Sequence, residues 1–321
     1  MTILFSARGR DVHIDVPLSN VALDYKPQGR IADMIYPIVT VPNQSDLLPV
    51  FSRGEILRIE EDRRAPGTEA NKVSRSVSSL SFFCDNYALK KAVNAETRAN
   101  ADPIYRQKLY NDAGEYVTSK LCLGWERRVS LQVGSTSNVG SSAAVASGWT
   151  DFTNSDPLGD MYTALDNVHD ATGTRPNNVT FGQAAWRNFR RNTNVLNKIF
   201  GVNNGGANAS TEQVAQLLEV DKVHIGASYV NTANEGQAES LTAMWIDNVL
   251  CYYVPPAPSI DLPSFAYTFR WAPEGIPSMQ AERHPYNTLT KCEEVEVGMY
   301  QVERITDSSL GFLLTAVNSS T

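Results

Sequence analysis

Apolar residues return every four positions across residues 102–134. Leu109, Ala113, Val117, Leu121, Trp125 and Val129 form one slowly drifting stripe, with Arg127 and Arg128 beside it. That spacing predicts a helix. Its ends are marked as well: Asp102 can cap free amides, and Pro103 suits the first helical position, where a missing N–H costs nothing. Gly134 offers a left-handed stop. Gly114 and Gly124 each cost about 1 kcal/mol relative to Ala without breaking the pattern. A helix over 103–133 would be about 45 Å long at ~1.5 Å per residue, a beam rather than a pocket wall.

Alternating patterns precede it. Residues 46–89 read as a long two-stranded hairpin, LLPVFSRGEILRIE outward and KVSRSVSSLSFFCDNYAL back, turning near Pro66-Gly67. About 13 residues at ~3.3 Å each would carry the tip some 40 Å from its root. Few large apolar side chains fall near that tip, whereas Arg53, Arg58, Glu60, Glu61, Asp62, Arg63 and Arg64 crowd it. A two-stranded ribbon is only marginally stable in water, so it must lean on something. Its mixed charge suits a polar contact with another subunit, although a charge run is often just a solvated loop. In residues 1–45, Pro17, Pro27, Pro37 and Pro42 forbid a central sheet or a long helix. Ile35, Tyr36, Ile38 and Val39 are too apolar to be left in water, which favours an arm ordered on a neighbouring subunit over a disordered tail.

The rest alternates between helix and strand periods. Residues 90–101 read as a short amphipathic helix, and the Ser/Gly/Ala-rich 135–147 as part of a flexible connection with a boundary near 150. Asp156-Pro157 opens a helix carrying Leu158, Met161, Leu165 and Val168, stopped by Gly173. A strand at 179–181 leads to a helix over 183–191 with Trp186 and Phe189 inward. Ser210 and Gln213 form a capping box, followed by strands at 222–225 and 243–254. Val295, Val297 and Met299 alternate with polar residues, and GFLLTAV reads as a buried strand. Helices and strands are not strictly interleaved, so the class is α+β.

Composition narrows the chemistry. The 321 residues suggest about two domains, and 35 acidic against 28 basic residues leave a net charge of −7. That balance argues against a dedicated DNA binder but allows a container that faces DNA. The amino terminus meets charge after five residues, unlike a signal peptide, and no apolar run nears the ~20 residues a bilayer requires. Cys84, Cys122, Cys251 and Cys292 are scattered and read as free thiols. Phosphate-loop, dinucleotide and hydrolase signatures are absent, as is the zinc-protease motif. His13, His169, His224 and His284 lie far apart, and Glu60-Glu61 and Glu293-Glu294 point to opposite faces of their strands. Arg187, Arg190, Arg191 and Lys198 cluster, but four charges on a solvated helix face usually serve solubility. No catalytic, cofactor or metal site is expected.

Taken in order, these parts resemble the major capsid protein of tailed bacteriophages, the Hong Kong ninety-seven fold. Its N-terminal arm is similar to 1–45, its extended loop to 46–89 and its spine helix to 103–133. The axial domain resembles the stretch opening DPLGDMYTALDNVHDATGTRPNNVTFGQAAW, with VDKVHIGASYV and TAMWIDNVLCYYVPP as its central strands. EVGMYQVERITDSSLGFLLTAV resembles the return through the peripheral sheet into the last axial strand. The resemblance implies a peripheral domain of 90–149 and 291–304, and an axial domain of 150–290 and 305–321.

It also implies a function: a virion shell of hexamers and pentamers, icosahedral or prolate, assembled in the host cytoplasm around double-stranded DNA touched without sequence preference. The expected partners are copies of itself, a portal, a cement or decoration protein, and, since no charged helical leader precedes the arm, a separate scaffolding protein. No membrane partner is expected. Arg53, Arg58, Glu60, Glu61, Asp62, Arg63 and Arg64 of the loop, with Ile35, Tyr36, Ile38 and Val39 of the arm, are the expected inter-subunit contacts. The alternatives are an encapsulin-like compartment around an enzyme cargo, or a Ser/His hydrolase.

Overall fold

The computed structural model describes residues 13–14, 18, 22, 29–51, 57–74, 77–201, 208–245, 247–273 and 276–318. Its longest element is the helix α3, Pro103–Val133, preceded by α1 (Ala32–Ile35) and α2 (Ala95–Asn100). Further helices are α4 (Pro157–Thr172), α5 (Gln183–Phe189), α6 (Thr193–Phe200) and α7 (Thr211–Leu218). The strands, in order, are β1 (His13–Ile14), β2 (Ile38–Val41), β3 (Ser45–Phe51), β4 (Val77–Phe83), β5 (Asp85–Asn94), β6 (Ser141–Ala144), β7 (Asn178–Gly182) and β8 (Lys222–Gly226). After them come β9 (Tyr229–Asn231), β10 (Leu241–Ala243), β11 (Val249–Tyr252), β12 (Ala266–Trp271), β13 (Met279–Arg283), β14 (Cys292–Ile305) and β15 (Gly311–Thr315).

The stripe on α3 explains how two sheets are joined. A four-residue step advances a helix by about 40° beyond a full turn, so the apolar face winds around the beam. At its first half Ala113, Val117 and Leu121 pack on Met279, Ala281, Val295, Val297 and Met299 of a six-stranded sheet. At its second half Trp125, Val129 and Val133 join a different core with Ile31, Tyr36, Phe265 and Leu313. The helix thus belongs to both cores. Its ends differ from expectation: Asp102 makes no side-chain cap, and Gly134 has a right-handed φ of −69°. The last bond of the helical ladder is Gly134 N–H donating to Ser130 O at 2.9 Å.

In the six-stranded sheet β14 is the axis. β5 pairs along one edge of it, while β13 and then β12 pair along the other. The alternation expected for β14 is present, with Val295, Val297 and Met299 buried toward α3. A strand of 14 residues has room for successive partners, so β12 and β13 lie in this sheet although the sequence assigned 266–283 to the axial part. The five-stranded sheet runs β6-β15-β11-β7-β8. Around it Trp149, Phe181, Trp186 and Phe189 form an aromatic cluster with ring centroids 5.1–6.5 Å apart.

Several local expectations change. Residues 141–144 are not part of a flexible connection: β6 pairs in parallel with β15, and Trp149 is fully buried. Small side chains let β6 lie flat on the sheet edge. The short helix expected over 90–101 begins only at Ala95, because Lys90 to Asn94 continue the ladder with β14. The paired part of the hairpin is Ser45–Phe51 against Val77–Phe83, and from Asp85 the chain joins the large sheet. Helix α6 had no signal of its own beyond Asn192, whose side chain accepts from Asn194 N at 2.9 Å. The Ser210–Gln213 capping box and the left-handed Gly173 stop (φ 67°) are as read.

Candidate assembly surfaces

The described tip of the hairpin, residues 57–74, is exposed throughout. Arg58, Glu60, Glu61, Asp62, Arg63 and Arg64 are all exposed, and among the described residues Arg58, Glu60, Glu61, Asp62 and Arg63 carry no ion pair. Arg53 lies outside the described residues. The tip is locally ordered by its own backbone. Thr68 N and Oγ1 both bond Ala65 O, at 3.3 and 2.9 Å, in the turn read from Pro66-Gly67. Asn71 Nδ2 donates to Glu61 O at 2.9 Å, and the Arg64 guanidinium to Thr68 O. Three apolar side chains stand among these charges: Ile59 is 96% exposed, Val73 72% and Leu57 64%. The sequence reading undercounted them, although Leu57 and Ile59 alternate plainly in EILRIE. Apolar anchors inside a charged rim are the composition of an interface.

The arm is built differently. Ile35 and Tyr36 are fully buried in this chain's own core, beside Trp125 and Phe265. They have no surface left for a neighbour, which corrects their assignment as inter-subunit contacts. Their apolar character is satisfied at home, because α3 and the C-terminal strands leave a slot there. Ile38, at 39% exposure, and half-buried Val39 keep some surface on β2, an edge strand parallel to β12 and bracketed by Pro37 and Pro42. Leu18 is buried as well, its Cδ1 2.9 Å from where a Cβ on Gly114 would stand.

What fastens the arm is a residue that the sequence reading passed over. Glu126 of α3 is buried, and its carboxylate accepts from Ala32 N (2.8 Å), Ile31 N (3.1 and 3.2 Å), Trp245 Nε1 (2.6 Å) and Ser228 Oγ (3.4 Å). Burial raises its pKa, while the bonds from Trp245, Ile31, Ala32 and Ser228 pull it back down. Arg30 adds a second tie, donating to Ser119 O at 2.9 Å. About two and a half turns along α3 from Arg30's anchor, Arg128 grips Glu303 of β14 with Nε and Nη2 at 2.9–3.2 Å and lies over the Tyr87 ring. Arm, beam and both sheets therefore meet around the second half of α3. A charged residue next to Trp125 in a helical stripe was the available signal.

The chemistry-bearing residues do not converge. His169 lies in the last turn of α4, His224 in β8, and His284 bonds Glu296 at 2.8 Å. Burial, with Lys222 nearby, pushes His224 down to about 4. Among the described residues no group of three or more His, Cys, Asp or Glu could hold a metal ion, and no helix is long and apolar enough to cross a membrane.

These features are a beam shared by two sheets, an arm folded back onto the beam, and an exposed loop. No family model matches the chain. Over 95% of its length it is 22% identical to the major capsid protein of Burkholderia phage BcepMu, covering 97% of that protein. It is 25% identical over 93% of its length to the major capsid protein of Pseudomonas phage JBD67, covering 95% of it. Among solved structures it resembles a phage-related protein from Bordetella bronchiseptica RB50 with a TM-score of 0.74 at 20% identity, over 96% of this chain and 99% of that one. A subunit of the capsid of cyanophage P-SCSP1u matches at 0.57 and 13% identity, over 92% and 90%. The chain has the Hong Kong ninety-seven capsid fold, and it is similar to phage major capsid proteins along nearly its whole length.

Proposed function

We propose that this chain is a major capsid protein, assembling as hexamers and pentamers into a closed shell around double-stranded DNA. The observation that carries the reading is the loop at 57–74: three apolar side chains stand exposed among charges, of which Arg58, Glu60, Glu61, Asp62 and Arg63 carry no ion pair among the described residues. Leaving Ile59 and Val73 in water forgoes about 1.5–3 kcal/mol each, which a neighbouring subunit recovers by covering them. Many such modest contacts, repeated by symmetry, close a shell while letting misplaced subunits leave. The role is structural: the subunit's work is assembly, with no turnover. Portal and scaffolding partners, and a cement protein on the outer surface, fit the same reading.

Two experiments test it. Negative-stain images of the purified protein should show closed shells; a population no larger than dimers refutes the proposal. Deleting 61–71 should leave a folded subunit that assembles poorly, and an undiminished yield of particles removes the loop's role. The contents of particles made in cells separate a capsid, holding DNA, from a compartment holding an enzyme.

A further inference from the structure

The chain is acidic overall, yet its charges are not evenly spread. From Ala171 to Thr211 there is no Asp or Glu, while Arg175, Arg187, Arg190, Arg191 and Lys198 all fall in that stretch. Arg175 is neutralised by Glu219 at 2.6 Å. The other four sit on or just after α5 and on α6, and none has a carboxylate partner among the described residues. Arg187, Arg191 and Lys198 are exposed. Arg190 is half-buried, its Nε without any hydrogen-bond partner. The arginine plane of Arg191 lies over Phe152, 5.6 Å from the ring centre. The adjacent carboxylate, Asp151, is already taken up by Thr153 N, Asn154 N and Asn154 Nδ2.

This basic face is also held rigidly. On α5, Ala185, Trp186 and Phe189 are buried while Arg187 is exposed, and Arg191, two residues past the helix end, is exposed as well. Trp186 and Phe189 are fixed in the aromatic cluster with Trp149 and Phe181. Asn192 caps α6 and also donates to Ser155 Oγ at 2.9 Å, which pins the joint between the two helices. Cations held in place without partners are a ready counter-surface for a regular array of negative charge.

We infer that α5 and α6 form the face on which this protein meets the phosphate backbone of duplex DNA. The inference rests on the shell reading above and adds to it a location: this face would turn toward the contents. A few phosphate contacts per subunit, with no base readout, give weak and salt-sensitive binding that does not depend on sequence. Such contacts suit a wall that must hold DNA in place but not stop it moving. The chain as a whole, this face included, carries a net charge of −7, which keeps the attraction local.

The test uses the full-length subunit, dissociated, titrated against a labelled DNA duplex by fluorescence anisotropy over a series of KCl concentrations. Combining Arg187→Gln, Arg191→Gln and Lys198→Gln should lower the slope of log K against log salt by about 0.9 per removed charge. Affinity at low salt should fall about tenfold or more. Arg58→Gln with Arg63→Gln, on the loop tip, should leave the slope unchanged. An unaltered slope in the triple variant, or an equal fall in the loop variant, overturns the assignment. So does loss of binding to polyglutamate alone, which would mark an acidic protein as the partner. The triple variant should still form shells, since its side chains are exposed. Shells with an unchanged DNA slope sink only the face, whereas wild-type protein that forms no shells sinks the reading beneath it.

Discussion

Replacing Glu126 with Ala should release the root of the arm while leaving the two sheets folded. The carboxylate is the acceptor for Ile31 N, Ala32 N and Trp245 Nε1. Each buried donor left without a partner costs about 1–3 kcal/mol. Removing the charge returns part of that, because burying a carboxylate is itself costly, as the raised pKa of Glu126 reflects. The net loss is about 3 kcal/mol, and it falls on the contacts between 29–36 and α3. At about 1.4 kcal/mol per factor of ten, hydrogen exchange of the Ile31 and Ala32 amides should quicken about a hundredfold. Glu126→Gln keeps one acceptor oxygen but turns an amide group toward another donor, so its effect should be nearer tenfold. Mass-spectrometric exchange on a peptide covering 29–36 reads both variants. Unchanged protection in a folded Glu126→Ala protein refutes the role of this carboxylate as the fastening.

Two further outcomes follow from neighbouring geometry. A Cβ on Gly226 would lie 2.3–2.7 Å from Cγ, Cδ1 and Cβ of Trp245. Gly226→Ala should therefore displace that ring from Glu126 and cost about 1–3 kcal/mol, read as a lower midpoint in urea; a midpoint within error of wild type contradicts it. His224 is held neutral by burial, its folded value of about 4 lying below the ordinary 6.5. Between those values the unfolded chain binds the extra proton, so stability falls as pH drops from 6.5 toward 4, by about 3 kcal/mol from this group. Urea melts of wild type and His224→Leu across that window should show a flatter dependence in the variant, and parallel curves exclude the histidine as the cause.

The sequence was most legible where one pattern sufficed. Periodicity and breakers placed α3 at 103–133, α4 from Pro157 to its Gly173 stop, and the two-faced alternation of β14. Local chemistry also sufficed for the capping box at Ser210 and the turn near Pro66-Gly67. What it could not decide was which surface each apolar residue meets. Ile35 and Tyr36 look the same in sequence whether they cover a neighbour or, as here, fill the slot beside Trp125 and Phe265. The small residues of β6 look like a linker until β15 supplies a sheet edge 171 positions away, pairing Ser142 with Leu313 and Ala143 with Leu314. Glu126 reads as one more surface charge until backbone amides from the arm and Trp245 from the far side of the chain converge on it. Local structure depends on neighbours a few residues apart and is written in order along the chain. Whether a side chain is a core residue, a latch or a free cation depends on distant segments brought within a hydrogen bond's length, and only the packed fold sets that.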